Sequence, residues 1–116
     1  MKLTGTAKLL RIFLGESDRK GSAPLYVAIV EAARRAGLSG ATVLKGIEGY
    51  GGHSVVHAAR VFDLSTDLPI VVEIVDSEEK IRNFIPTIDA MVADGLITLE
   101  SVEVIQYKSG TRKESQ

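Results

Sequence analysis

The chain has 116 residues, enough for one domain with a hydrophobic core but too few for two. It contains no cysteine, which excludes disulfides, a thiol nucleophile and a cysteine-built zinc site, and fits a reducing compartment. The net charge is −1, the lysines and arginines form no basic stripe, and only three Phe and three Tyr are present, so nucleic-acid binding is disfavoured. The apolar runs are too short to cross a bilayer and the N-terminus lacks a signal-peptide core, so we expect a cytoplasmic protein.

A strand with two different faces is predicted near the N-terminus, because apolar side chains alternate over residues 8–14. One face is fully apolar and the other carries one arginine: Leu10, Ile12 and Leu14 lie on the first, and Leu9, Arg11 and Phe13 on the second. When both faces of a sheet are apolar, each face must be buried against other protein atoms. We therefore expect another subunit against the second face, with Arg11 pairing across that interface or lying at its rim.

A charged loop, a helix and a second strand follow. The loop contains Asp18 and Arg19, which either form a solvated turn or border a cleft beside the end of the second strand. Residues 24–36 predict a helix, because Pro24 suits the first helical position and apolar residues recur at helical spacing. Residues 41–47 predict the second strand.

The second half repeats the pattern of strand and helix. Residues 68–75 form a near-continuous apolar run, which predicts a strand buried on both faces. Asp76 is expected to cap a second helix, with Glu79 as its capping-box partner. Pro86 should kink this helix and Gly95 should end it.

Residues 96–107 predict the fourth strand, with a bulge or a break near Glu100 and Ser101. The order β-α-β-β-α-β is the ferredoxin-like α+β arrangement, a four-stranded antiparallel sheet with two helices on one face. We expect one domain over residues 1–116, with an ordered core at about 7–108. This topology serves many functions and does not identify one.

The most distinctive stretch is rich in glycine. Four of the seven residues 46–52 are glycines: Gly46, Gly49, Gly51 and Gly52. Glycine lets the backbone take a positive φ and approach a ligand closely, and successive N–H groups can converge on a phosphate. Three cations are candidates for the counter-charge: Lys45, Arg60 and Lys108. The alternative is that these glycines only form a turn.

Four segments carry a resemblance to a known family. Residues 15–19, 24–30, 40–51 and 67–73 occur in the same order in the PII-like family called domain of unknown function 190, and the likeness runs from about residue 10 to 107. That family is similar in fold to the PII nitrogen-signalling proteins, which are trimers that bind adenine nucleotides in clefts between subunits. Some members lie beside fluoride-channel genes, which implies a membrane transporter or channel as a regulated partner.

The resemblance to PII itself implies particular residues. Gly49, Tyr50 and Gly51 match the Gly-Phe-Gly that opens the PII T-loop against the nucleotide. Residues 104–110 resemble a PII stretch with two arginines that face the phosphates, and Gln106 and Lys108 stand at those positions. Gly95 falls where PII has its glycine-rich B-loop, whose lysine is absent here. The implied ligand set is Gly49, Tyr50, Gly51, Gly52 and Lys108, followed by Arg60 and Lys45.

The resemblance also restricts the chemistry. The loop between Gly52 and Arg60 is shorter than the T-loop and has no tyrosine, so uridylylation is not expected. AMP, ADP or another adenosine ligand fits the remaining cations at least as well as ATP. Tyr50 has two interpretations, since it can stack on an adenine or fill an interface.

Two other kinds of site have candidate residues in the sequence. His53 and His57 would share one face of a helix and could bind a metal, but the residues between them favour strand or loop, and we expect no metal. Glu48 and Glu73 could form a carboxylate pair for hydrolysis, but no nucleophile or orienting base accompanies them, so we expect no enzyme.

The predicted function is that of a regulatory homotrimer, in which an adenine nucleotide orders the 49–60 loop and a partner reads that loop. The alternatives are a divalent-metal-binding trimer that uses His53 and His57, and a structural trimer without a ligand.

Overall fold

The computed structural model describes residues 4–50, 57–58 and 67–109. Four strands form the main sheet: β1 (Gly5–Gly15), β4 (Thr42–Lys45), β7 (Pro69–Asp76) and β8 (Leu96–Val104). The two helices are α1 (Leu25–Arg35) and α2 (Glu78–Met91). Two short pairs of strands lie outside that sheet: β2 (Arg19–Lys20) with β3 (Ala23–Pro24), and β5 (Glu48–Gly49) with β6 (His57–Ala58).

The main sheet has the order β4-β7-β1-β8, and each neighbouring pair is antiparallel. Each helix connects two strands that are not neighbours in the sheet, and right-handed crossovers of this kind place both helices on the same face. The predicted ferredoxin-like α+β fold is therefore confirmed. No helix in the described residues is long and apolar enough to cross a membrane.

The hydrophobic core lies between the helices and one face of the sheet. Alternate residues of β1 and β7 supply its floor, and the apolar stripes of both helices cover it. Its wholly buried members are Leu10, Ile12, Val72 and Ile74 from the sheet and Ile29, Ile81 and Ile88 from the helices. Burial alternates over residues 10–14 of β1 as predicted, but Leu9, which was assigned to the other face, is buried as well. Strand β7 differs from its prediction, since only every second residue is buried.

The opposite face of the sheet, which we call the outer face, is apolar around a central group of charges. Arg11 lies directly opposite Glu73 on the neighbouring strand, and it donates hydrogen bonds to Glu73 at 2.8 Å and to Glu100 at 2.7 Å. The hydrogen bond to Glu73 is the main cause that raises the pKa of Arg11. Leu44 and Leu96 remain exposed on this face. Arg11 thus has partners within its own chain, in addition to any that another subunit could offer.

The ends of several elements differ from the sequence prediction. Ser77 caps α2, where its Oγ accepts a hydrogen bond from the N–H of Lys80, so the prediction of an Asp76 cap with Glu79 as its partner was wrong. Helix α2 ends at Met91 instead of reaching Gly95. Strand β8 ends at Val104, and its pairing with β1 is continuous from Leu96 to Val104, so the predicted bulge was also wrong. The kink at Pro86 stays a prediction.

Asp76 has a different role, as the anchor of the loop between α1 and β4. Its side chain is fully buried, and its carboxylate accepts hydrogen bonds from the N–H of Ser39 at 2.8 Å and of Ser77 at 2.7 Å. The carbonyl of Ser39 in turn accepts a bond from the hydroxyl of Tyr107 at 3.0 Å. Asp76 therefore connects the end of β7, the start of α2 and the C-terminal segment.

We expect Asp76→Ala to lower the free energy of unfolding by about 2–4 kcal/mol, because two N–H groups lose a charged acceptor. Urea denaturation followed by circular dichroism measures this change. Asp89→Ala, at an exposed position of α2, should change stability by less than about 0.5 kcal/mol. Equal stabilities for the two variants would contradict the anchoring role.

Candidate ligand-binding site

The antiparallel pairing sorts the candidate residues between two ends of the sheet. We call the end that carries Gly15, Lys45 and Pro69 the loop end, because the glycine-rich stretch begins there. The other end, where β7 finishes at Asp76 and β8 finishes at Val104, is the tail end. Strand β7 connects the two ends, and its eight residues span about 25 Å.

At the loop end, the glycine-rich stretch leaves the sheet and starts a hairpin. The N–H of Gly46 donates to the carbonyl of Pro69 at 2.7 Å, which ends the pairing of β4 with β7. Glu48 then pairs with Ala58, and Gly49 pairs with His57. Tyr50 follows with 73% of its surface exposed. The described base of the 49–60 loop is therefore a two-stranded arm that presents an aromatic ring to solvent.

The first two glycines of the stretch are explained by packing within the chain. A Cβ atom at Gly46 would lie 2.7 Å from Cγ of Pro69, and one at Gly49 would lie 3.1 Å from the same atom. Neither residue has a positive φ, so the expected left-handed backbone is not adopted at these two positions. The backbone does approach another group closely at these glycines, but that group is Pro69 of the same chain and not a ligand. Gly51 and Gly52 lie outside the described residues.

Lys45 is paired with a residue that the sequence did not single out as part of the site. Its Nζ lies 2.8 Å from Oε2 of Glu16, in the turn after β1. Asp18 and Arg19, by contrast, bond within their own turn: Asp18 accepts from the N–H of Gly15, and Arg19 donates to the carbonyl of Ser22. Glu16 belongs to one of the segments shared with the PII-like family, and that was the available signal for it.

Lys108 lies at the tail end, far from the other candidates. The hydroxyl of Tyr107 bonds to Ser39, which is itself bonded to Asp76, so the neighbouring Lys108 is held near the finish of β7. Lys108 is exposed there. Lys45, Gly49 and Tyr50 are near the start of β7, about 25 Å away. One chain cannot bring Lys108 and Tyr50 to the same small ligand.

Some of the predicted site residues are not placed. Arg60 and His53 lie outside the described residues. The proposed metal site needs His53 and His57 on one face of a helix. His57 lies in strand β6 instead. Within residues 4–50, 57–58 and 67–109, no group of three His, Asp or Glu side chains is placed to hold a metal ion.

Gly95, the residue at the B-loop position, has a structural explanation. It precedes β8 at the loop end, where a Cβ atom would lie 2.6 Å from the carbonyl oxygen of Phe13. A contact that short with backbone cannot be relieved by a side-chain rotation. The glycine is needed for the close approach of the connection before β8 to the end of β1.

The fold is similar to that of PII-like proteins of known structure. A protein of Thermus thermophilus, described as a PII-like signaling protein, superposes with a TM-score of 0.64 at 19% identity, over 87% of this chain and 91% of its own. CPII of Thiomonas intermedia K12, a nitrogen regulatory PII-like protein bound to ADP, AMP and bicarbonate, superposes with a TM-score of 0.57 at 20% identity, over 85% of this chain and 88% of its own.

Sequence comparison defines the family more closely. Residues 7–104 match the model of DUF190, described as "Uncharacterized ACR". A UPF0166 protein of Aquifex aeolicus is 47% identical over 98 residues, which cover 84% of this chain and 92% of the relative. A UPF0166 protein of Methanocaldococcus jannaschii is 40% identical over 106 residues, which cover 90% and 95%. This chain belongs to the DUF190 family, which confirms the resemblance seen in its motifs.

We expect Gly46→Ala to lower the free energy of unfolding by about 1–3 kcal/mol, because the new methyl group would overlap Pro69. Gly40→Ala is the matched control: a Cβ atom there meets nothing within 4 Å, and the variant should be as stable as the parent or slightly more so. Chemical denaturation of both variants makes the comparison. Recovery of stability in Gly46→Ala combined with Pro69→Ala would identify the contact, and a stable Gly46→Ala would refute it.

Proposed function

We propose that this chain is a non-enzymatic regulatory protein that forms a homotrimer and binds an adenine nucleotide in the clefts between its subunits. The nucleotide, AMP, ADP or ATP, orders the 49–60 loop, and a partner protein reads the state of that loop. A membrane transporter or channel is our candidate for that partner.

The observation that carries this proposal is the placement of the candidate residues at opposite ends of the sheet. Lys45, Gly49 and Tyr50 share the loop end, and Lys108 occupies the tail end about 25 Å away. If all four contact one nucleotide, Lys108 must come from a neighbouring copy. A cleft between subunits satisfies this requirement, since rotation about a closed symmetry axis can set the tail end of one copy beside the loop end of the next.

The outer face of the sheet supports self-association. The helices cover the other face, while the outer face keeps Leu44 and Leu96 at 48% and 57% exposure. Half-buried apolar residues of β1, β7 and β8 surround the charged group at its centre: Phe13, Val71, Val75 and Val102. An apolar sheet face of this kind is more stable when another molecule covers it.

The chemistry of the ligand is supported by the relatives and by the loop end. CPII, which shares the fold, is bound to ADP and AMP in several of its structures. In this chain, the exposed Tyr50 ring offers a surface on which an adenine can stack, and Lys45 offers a cation at the same end of the sheet. Gly51, Gly52 and Arg60 are further members of the proposed set.

We expect adenine nucleotides to stabilise the folded protein, because a ligand that binds the native state alone raises the free energy of unfolding. At about a hundred times the dissociation constant this gain is about 2.7 kcal/mol. Thermal unfolding with AMP, ADP, ATP and divalent metals would measure it, with GMP as the control for the base. Stabilisation by metals alone, or by none of these compounds, would contradict nucleotide binding.

A subunit-mixing experiment tests whether the site is shared between copies. We expect Tyr50→Ala and Lys108→Ala to weaken nucleotide binding when each variant is assembled alone. Both side chains are exposed, so neither change should affect folding. In oligomers refolded from an equal mixture, about a quarter of the clefts would combine an intact Tyr50 with an intact Lys108, and calorimetry should detect binding to that fraction at the parental affinity.

The control for the mixing experiment is Arg34→Ala, which removes an exposed cation on the surface of α1 and should bind as the parent does. Native mass spectrometry would verify that both variants are present in the same oligomers. Mixed oligomers that remain unable to bind would show that Tyr50 and Lys108 do not serve one shared site.

A further inference from the structure

The ion pair between Lys45 and Glu16 is held in place by the backbone on both sides. The N–H of Glu16 donates to the carbonyl of Leu68 at 2.9 Å, and the N–H of Gly46 donates to the carbonyl of Pro69 at 2.7 Å. The two loops are therefore anchored to successive carbonyl groups at the start of β7. Their charged side chains meet at 2.8 Å without any need to order a flexible segment.

The turn that carries Glu16 is rigid as well. The N–H of Ser17 bonds to the carboxylate of Asp67 at 2.7 Å, and the N–H of Gly15 bonds to the carboxylate of Asp18 at 3.0 Å. Glu16 thus projects from a turn that is fixed by both its backbone and its neighbours. Its carboxylate lies 2.8 Å from the Nζ of Lys45.

The described turn after β1, the hairpin base and the segment before β7 carry more carboxylates than cations. Four carboxylates are carried by the described residues of the turn after β1, of the hairpin base and of the segment before β7: Glu16, Asp18, Glu48 and Asp67. The cations at the same end are Lys45, Arg19 and Lys20. A phosphate chain that approaches Lys45 must therefore compete with the carboxylate already bonded to it, and each added phosphate increases the repulsion.

We propose that Glu16 determines the specificity of the nucleotide site by competing with phosphate for Lys45, so that the site favours the less charged nucleotides. This inference rests on the proposed function. Glu16 makes no attractive contact with the ligand in this account. It lowers the affinity for every nucleotide, and it lowers the affinity for ATP more than the affinity for AMP.

The test is Glu16→Gln, which keeps the size of the side chain and an oxygen that can accept from Lys45 but removes the negative charge. Isothermal titration calorimetry with AMP and with ATP would give the two affinities for parent and variant. We expect the ratio of ATP affinity to AMP affinity to rise by about twofold to fivefold, the range of a single partly exposed charge. In about 1 M salt the increase should disappear, because charges more than about 3 Å apart are largely screened from each other at that ionic strength.

Glu31→Gln is the matched control. Glu31 also pairs with a cation, Arg34 at 3.8 Å, but it lies on the surface of α1, and its loss should leave the ratio unchanged. An unchanged ratio in Glu16→Gln, with nucleotides still bound, overturns the role of Glu16 and leaves the proposed function standing. Weaker binding of both nucleotides also overturns it, since Glu16 would then orient Lys45. If neither the parent nor Glu16→Gln binds a nucleotide, the proposed function itself fails.

Discussion

The antiparallel register of the central sheet is the constraint on which the site depends. Strand β1 pairs with β7 on one side and with β8 on the other, and this pairing sets the start of β7 and the finish of β8 at opposite ends. The glycine-rich stretch leaves at one end, and the segment with Lys108 leaves at the other. A ligand that needs residues from both ends must lie between two molecules, so the fold itself connects binding to assembly.

The two faces of the sheet contribute to that connection in different ways. The face under the helices supplies most of the stability, because its alternate residues are fully buried against both helices. The outer face carries Arg11 with its two glutamate partners inside an apolar surround. An apolar surface favours association, while a charged group at its centre favours arrangements that keep those charges paired. The outer face can therefore promote assembly and restrict its geometry.

Local patterns in the sequence predicted the elements of the fold, but contacts between distant residues decided the details. Alternation over β1 and the helical spacing in α1 required no tertiary information. At the start of α2, Asp76 and Ser77 are both good capping residues, and the choice fell to Ser77 because Ser39, 37 residues earlier, donates to Asp76. The glycine-rich stretch was recognised, yet its contact with Pro69 and the pairing of Lys45 with Glu16 depend on which strands are neighbours. The order of the strands in the sheet was also needed to see that Lys108 lies far from Tyr50.

The central claim is that the nucleotide site is formed by several copies of the chain. Native mass spectrometry with and without ADP tests it most directly, because one spectrum reports both the assembly and the number of ligands. We expect a species of three times the 12.5 kDa of one chain, with up to three bound ADP molecules. A chain that stays monomeric and still binds ADP, or a trimer that binds no ADP, would contradict this claim.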